Sequence, residues 1–267
     1  VALQRAGSDT GFLRDIGCEI VEGDVREPAE KLAPRMTSAD AVLHAAALVY
    51  SGGSWPRVKE INVDGTRNVV RAAAMAGATH VVHVSSIAVY GTVVGVAHEG
   101  LPLESPLRPG NTYGRSKREA ERVARQVGEE AGIRVTTVRP AAVYGERDRL
   151  FAPKLASLTK LPLIPTLGPG TNRLPVVYAG NVARAIVSIL AGRGVGGTFN
   201  LSEDEPLTQR ALLEGFSRGL GRRPRLIPIP ACLIRAGADL TSWLGGSMPG
   251  LKGLSLERVA RLGLGDN

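Results

Sequence analysis

The 267-residue chain predicts an α/β fold built on a doubly wound parallel sheet. Two observations carry this. Short apolar, β-branched runs at 41–44, 79–85 and 134–138 alternate with amphipathic helical stretches. Small or polar residues follow successive strands, at Asp24, Ala45-Ala46-Ala47, Ser85-Ser86 and Arg139-Pro140. Open α/β sheets bind ligands beyond the carboxyl ends of their strands.

Each element follows from local pattern. Residues 1–3 form the tail of a short apolar strand. Ser8-Asp9 can cap a helix reaching Ile16, which Gly17 ends. Residues 18–24 alternate as a strand, 28–33 form a brief helix, and 41–44 a buried strand. A long helix spans about 55–76 and stops at Gly77. The run 79–85 reads as a strand buried on both faces. A loop over 86–110 leads to a helix that opens at Asn111 and ends near Gly132, then a strand over 134–138. Beyond Gly145 the pattern loosens. It gives a helix at 151–158, a Pro/Gly-rich stretch at 161–170, strands at 176–178 and 198–201, a helix at 181–190, and a helical remainder.

Composition excludes several classes. No apolar run is long enough to span a bilayer. The net charge is +8, but the basic residues are scattered and aromatics make up 4 %, which argues against nucleic acid as a partner. Cys18 and Cys232 lack CxxC spacing and read as buried free thiols of a reducing cytoplasm. His80 and His83 are an odd number of strand positions apart and face opposite ways, so no metal site is expected.

The chemistry centres on residues 111–117. Tyr113 and Lys117 lie four apart, on one face of a helix. A phenol titrates near ~10, and a fixed cation beside it favours phenolate. Reaching about 7 takes roughly 4 kcal/mol, more than one lysine supplies, so a second cation and a hydrogen-bond donor are expected. A serine hydroxyl at 85 or 86 could donate to a substrate oxygen, or bond locally within its turn. Asp24 could accept from an adenine amino group or cap its turn. The three alanines allow close backbone approach. Pro140 would shape a pocket wall, and Asn62 would bridge to a neighbouring strand.

These segments resemble the extended short-chain dehydrogenase/reductase family, the NAD(P)-dependent epimerase/dehydratase group. The matching stretches are 23–25, 44–47, 62–68, 84–91 (Val-Ser-Ser-Ile-Ala-Val-Tyr-Gly), 113–117 (Tyr-Gly-Arg-Ser-Lys), 138–145 and 177–185. The resemblance implies a Rossmann-like domain over 1–145 and 179–198, and a smaller, mostly helical substrate domain over 146–178 and 199–267. It implies Tyr113 as general acid/base, Lys117 as ribose ligand and pKa setter, and Ser86, four before Tyr90, as the serine that orients the substrate oxygen. It also places Arg5, Asp24, Val25, Ala45, Ala46, Ala47, Asn62, Ser85, Pro140 and Val143 around the cofactor, with Tyr113 and Lys117. Oxidised nicotinamide would be the second cation. Dimerisation through helices near 55–76 and 111–131 is a further family expectation.

Departures from the pattern narrow the reading. The family's glycine-rich loop and first strand are absent, so the sequence reads as a fragment incomplete at both ends, with a gap between neighbouring strands. Gln4-Arg5 stand where an acid would hold a 2′-hydroxyl, which favours NADP over NAD. Ile87-Ala88 replace the Asp-Glu of dehydratases, and Ala142 and Asn181 replace residues common in sugar-nucleotide epimerases. This is closer to the 3β-hydroxysteroid dehydrogenase and dihydroflavonol-reductase-like branch, with a less polar small-molecule substrate. The expected activity is hydride transfer between NAD(P) and a secondary alcohol or ketone. The alternatives are a nucleotide-sugar epimerase with retained NAD and a non-catalytic dinucleotide-binding member.

Overall fold

The computed structural model describes residues 1–49, 54–93, 95–107, 109–205, 207–223 and 225–230. Cys232 lies outside them. The chain divides into two compact units, Val1–Pro140 with Ala183–Leu201, and Ala141–Val182 with Ser202–Asn267.

In chain order, the first unit opens with β1 (Ala2–Gln4), α1 (Gly11–Asp15), β2 (Ile20–Glu22), α2 (Ala29–Leu32) and β3 (Ala41–His44). The expected long helix is α3 (Trp55–Lys59), a π-helical turn (Glu60–Asp64) and α4 (Gly65–Met75). Then come β4 (His80–Val84), α5 (Thr112–Ala131) and β5 (Arg134–Pro140). The chain continues through β6 (Ala142–Tyr144), α6 (Ala152–Leu158), β7 (Leu163–Leu167), β8 (Arg173–Leu174), β9 (Val176–Tyr178), α7 (Ala179–Leu190) and β10 (Thr198–Leu201). It ends with β11 (Leu207–Thr208), α8 (Gln209–Gly219) and β12 (Arg225–Ile229).

The first unit is organised on β4. Its sequence His-Val-Val-His-Val pairs in parallel with β3 (Val82 opposite Leu43) and with β5 (Val82 opposite Thr136). Val81 and Val82 are fully buried, as a strand covered on both faces demands. Helix α5 packs its small residues inward, Ala120, Ala124 and Gly128 among them. Asn111 caps its start by accepting from the Gly114 amide at 2.9 Å, and Gly132, in the left-handed region at φ 68°, ends it. Strand β10 pairs with β5, Leu201 opposite Pro140, which places all of β10 in the first unit.

β1 and β2 form a parallel pair of their own, and the other sheet runs β10-β5-β4-β3. Among the described residues, β1 pairs only with β2 and β3 only with β4. A cavity of ≈ 700 Å³ is lined by both strands. β3, expected as a buried strand, buries only His44; Leu43, which lines the cavity, is 45 % exposed. Cys18 is likewise only partly buried.

In the second unit, β6 pairs with β9 and β7 with β12, both in parallel, while β11 pairs with β8 antiparallel. Leu155, Ile164, Leu212 and Leu213 form its buried cluster. Two sequence expectations change here. The Pro/Gly-rich stretch contains β7, and the remainder read as helical contains β12. Each strand carries a proline, Pro165 or Pro228, tolerated because a two-stranded sheet leaves one edge of every strand without a ladder to serve.

Candidate active site

Helix α5 carries Tyr113 and Lys117 on one face, and Lys117 is buried, 4 % exposed. Its Nζ donates to the Val84 carbonyl at 2.7 Å, at the carboxyl end of β4, and lies 5.9 Å from the centroid of the Tyr113 ring. Burial pushes the Lys117 ammonium down to about 8, partly countered by the Glu121 carboxylate one turn along. Lys117 therefore stays largely charged at pH 7 and presents a cation to the phenol.

The serine that follows β4 caps a 3-10 turn, Ile87–Tyr90. Ser86 Oγ accepts from the Ala88 amide at 3.2 Å, the local turn bond foreseen from sequence, which leaves its O–H to donate. This turn abuts the start of α5. A Cβ on Gly114 would stand 2.7 Å from the Ala88 carbonyl oxygen, so only glycine lets the two backbones approach this closely. Arg118 Nε donates to the Val89 carbonyl from the same helix. Ser86, Tyr113 and Lys117 thus belong to elements locked together.

Ser85 has a different environment from its neighbour. Its hydroxyl bonds Glu121, and the Glu121 carboxylate takes Nε and Nη2 of Arg139 at 2.9 and 2.7 Å. Sequence reasoning missed Glu121 and Arg139 as site residues. The available signal was Glu121 at the second i+4 step from Tyr113, on the face shared with Lys117.

Asn62 sits in the π-helical turn, which re-aims its side chain. Its amide accepts from the Leu48 amide at 2.7 Å and donates to the Leu48 carbonyl at 3.1 Å. It also reaches Ser116 Oγ at 2.9 Å, which donates to the Tyr113 carbonyl at 2.8 Å. Asn62 therefore bridges the turn after β3 to the first turn of α5.

The remaining residues named for a cofactor divide into two groups. Arg5, Asp24, Val25, Ala45, Ala46 and Ala47 all line the ≈ 700 Å³ cavity. Pro140 ends β5, and Val143, in β6, belongs to the second unit. The cavity combines strand edges with the turns at the carboxyl ends of β1, β2 and β3, so it is larger than the crevice those turns alone would form. Ala45 and Ala46 are exposed and Ala47 is half-buried at its wall. Asp24 is engaged by Arg26, which donates from its backbone N at 2.9 Å, Nε at 3.1 Å and Nη2 at 2.8 Å. Its side-chain bond to Arg26 outweighs burial and lowers its carboxyl from the usual range. This is the turn-capping role weighed from sequence, and Arg26 is a lining residue that sequence reasoning missed.

Two histidines lie beneath the site. His44 and His83 are register partners, with ring centroids 5.5 Å apart. His44 Nε2 pairs with Thr66 Oγ1 at 2.9 Å, whereas neither ring nitrogen of His83 has a hydrogen-bond partner among the described residues. No cluster of three or more metal-ligating side chains occurs among the described residues, and none of their helices is long and apolar enough to cross a membrane.

The model of the NAD dependent epimerase/dehydratase family matches residues 1–202. The chain belongs to this family. Among curated members it is 25 % identical over 239 residues to the 3beta-hydroxysteroid-dehydrogenase/decarboxylase isoform 2 of Arabidopsis thaliana, covering 85 % of this chain and 42 % of that protein. It is 28 % identical over 242 residues to a 4-hydroxy-2-methyl-3-oxo-4-farnesyl-3,4-dihydroquinoline-1-oxide ketoreductase of Stigmatella aurantiaca, covering 90 % and 71 %. The first three curated relatives it matches are spanned over only 60 %, 42 % and 55 % of their lengths. A crystal structure of the dTDP-glucose 4,6-dehydratase DesIV from Streptomyces venezuelae, with NAD bound, superposes with a TM-score of 0.68 at 25 % identity, covering 97 % of this chain and 85 % of that one. The parallel-sheet α/β fold is thus that of NAD-binding epimerase/dehydratases.

Proposed function

We propose that the protein interconverts a secondary alcohol and a ketone, using NAD(P). The observation that carries this reading is the buried Lys117, held on the Val84 carbonyl beside the Tyr113 ring, on the helix that abuts the Ser86 turn. NAD(P) supplies the hydride when bound. In the reductive direction, Ser86 O–H donates to the carbonyl oxygen and orients it. Tyr113 gives that oxygen its proton. Lys117 keeps a positive charge near the phenol and favours the phenolate left behind. Arg5, Asp24, Val25, Ala45, Ala46, Ala47 and Pro140 would surround the cofactor. Asn62 and Ser85 would serve it by ordering the turns after β3 and β4.

The substrate class is a ketone of low polarity. Ile87 and Ala88 supply no acid/base pair for eliminating water. Relatives named as steroid dehydrogenases and as a farnesyl-bearing ketoreductase favour the same class. A nucleotide-sugar epimerase is the second reading; a 29 % identical relative is named as a 4-epimerase of a sugar diphosphate linked to undecaprenol, which favours epimerase chemistry without a nucleotide. Net consumption of NADPH with a panel of apolar ketones separates the two, because an epimerase re-reduces its own intermediate and turns over no free cofactor.

Arg5 favours NADP. It is exposed at the end of β1, lines the cavity, and follows Gln4 rather than an acid. Charge-assisted bonds to a 2′-phosphate are worth about 1.5–3 kcal/mol. Arg5→Ala should therefore weaken NADPH binding roughly 10- to 100-fold and leave NADH nearly unchanged, read by cofactor fluorescence titration. Equal weakening of both would remove the 2′-phosphate role.

A further inference from the structure

One buried charge pair is unused by the chemistry above. Arg139, at the end of β5, and Glu121, on α5, have side chains 4 % and 3 % exposed. We propose that Arg139 and Glu121 are positioning residues that hold the Ser86 turn at both ends; this rests on the catalytic reading of Ser86.

The connections are specific. Ser85, immediately before Ser86, gives its hydroxyl to Glu121 and its amide to the Val138 carbonyl at 2.7 Å. Tyr90, four residues after Ser86, receives Arg139 Nη1 on its hydroxyl at 2.7 Å and passes its own proton to Asn200 Oδ1 at 2.8 Å. One guanidinium thus ties both ends of the turn, through Glu121 at one end and directly at the other. The intervening residues are held from α5 by Arg118 at the Val89 carbonyl and by the close approach of Gly114 to Ala88. Helix α5 also carries Tyr113 and Lys117, so the clamp fixes the serine relative to the tyrosine.

Stability alone explains such a pair poorly. Desolvating two charges offsets much of their attraction, and apolar replacements of similar volume are often neutral or stabilising. A rigid fork that meets a carboxylate and a phenol oxygen at once supplies geometry that packing does not. Burial opposes the Arg139 charge, and the bonds to Glu121 and Tyr90 more than offset it.

The test uses Tyr90→Phe and Arg139→Lys in the whole protein. Amide hydrogen exchange at Ala88 and Val89 should accelerate on the order of tenfold or more in both variants, while Val81 and Val82 in β4 stay within about twofold. In ketone reduction, Tyr90→Phe should lower kcat about tenfold and leave KM for NADPH within about twofold. Should Arg139→Lys fail to fold, Tyr90→Phe decides alone. Uniform acceleration of exchange, or no change at Ala88 and Val89, overturns the proposal. A protein without ketone turnover refutes the catalytic reading, while exchange still decides whether the clamp holds the turn.

Discussion

Tyr113→Phe is expected to lower kcat for ketone reduction by roughly 10²- to 10⁴-fold, the usual worth of a positioned general acid. The phenyl ring keeps the packing of the first turn of α5 and loses only the transferable proton. KM for NADPH should change by less than about threefold, since the loss falls on the transition state. The companion variant Lys117→Met should also lower kcat and shift the alkaline limb of the pH–rate profile upward. Removing the cation disfavours phenolate, so the phenol holds its proton to higher pH. Initial rates across pH 6–10 for the parent and both variants check this. Unchanged kcat in Tyr113→Phe would remove the residue from the chemistry.

A second large effect concerns acid stability. His44 is buried and neutral, its imidazole pushed down to about 3 by burial first and by the Lys117 charge second. Burial likewise drives His83 well below its ordinary value, with Lys117 and His44 adding to it. In the unfolded chain both titrate near ~6.5. As pH falls below that, the unfolded state binds protons the folded state refuses, so stability present above about 6.5 drains away toward the folded values. For His44 alone the window from 6.5 to about 3 amounts to roughly 5 kcal/mol. That rivals the whole stability of an ordinary domain, about 5–15 kcal/mol. Urea midpoints should therefore drop steeply between pH 6.5 and 4. His83→Leu should flatten that slope and leave stability at pH 7 equal or higher, because it removes two buried ring nitrogens that lack partners among the described residues. An acid limb identical to that of the parent would contradict this account of the buried histidines.

The sequence carried the first unit further than the second. Strand β4 was legible because a run such as Val81-Val82 has no polar face to show water. Helix α5 was legible because Asn111 and Gly132 mark its ends. The π-helical turn at Asn62 was not, since one inserted residue barely disturbs helical periodicity. Strands β7 and β12 were hidden by Pro165 and Pro228, which read as breakers until the pairing of two short edges is known. At the site, Tyr113 and Lys117 could be paired from spacing alone. The Glu121–Arg139 contact joins a helix to a strand eighteen residues on, a distance no local rule spans. Leu43 was expected inside, yet it lines the ≈ 700 Å³ cavity and is 45 % exposed.

Hydride transfer between cofactor and ketone at this site is the central claim, and isotope transfer in the whole protein tests it most directly. With 4-deuterated NADPH of each face in turn and an apolar ketone in ordinary water, one face should yield alcohol bearing deuterium on the carbinol carbon, and the other none. Alcohol without deuterium from either face, or no alcohol at all, would contradict the assignment.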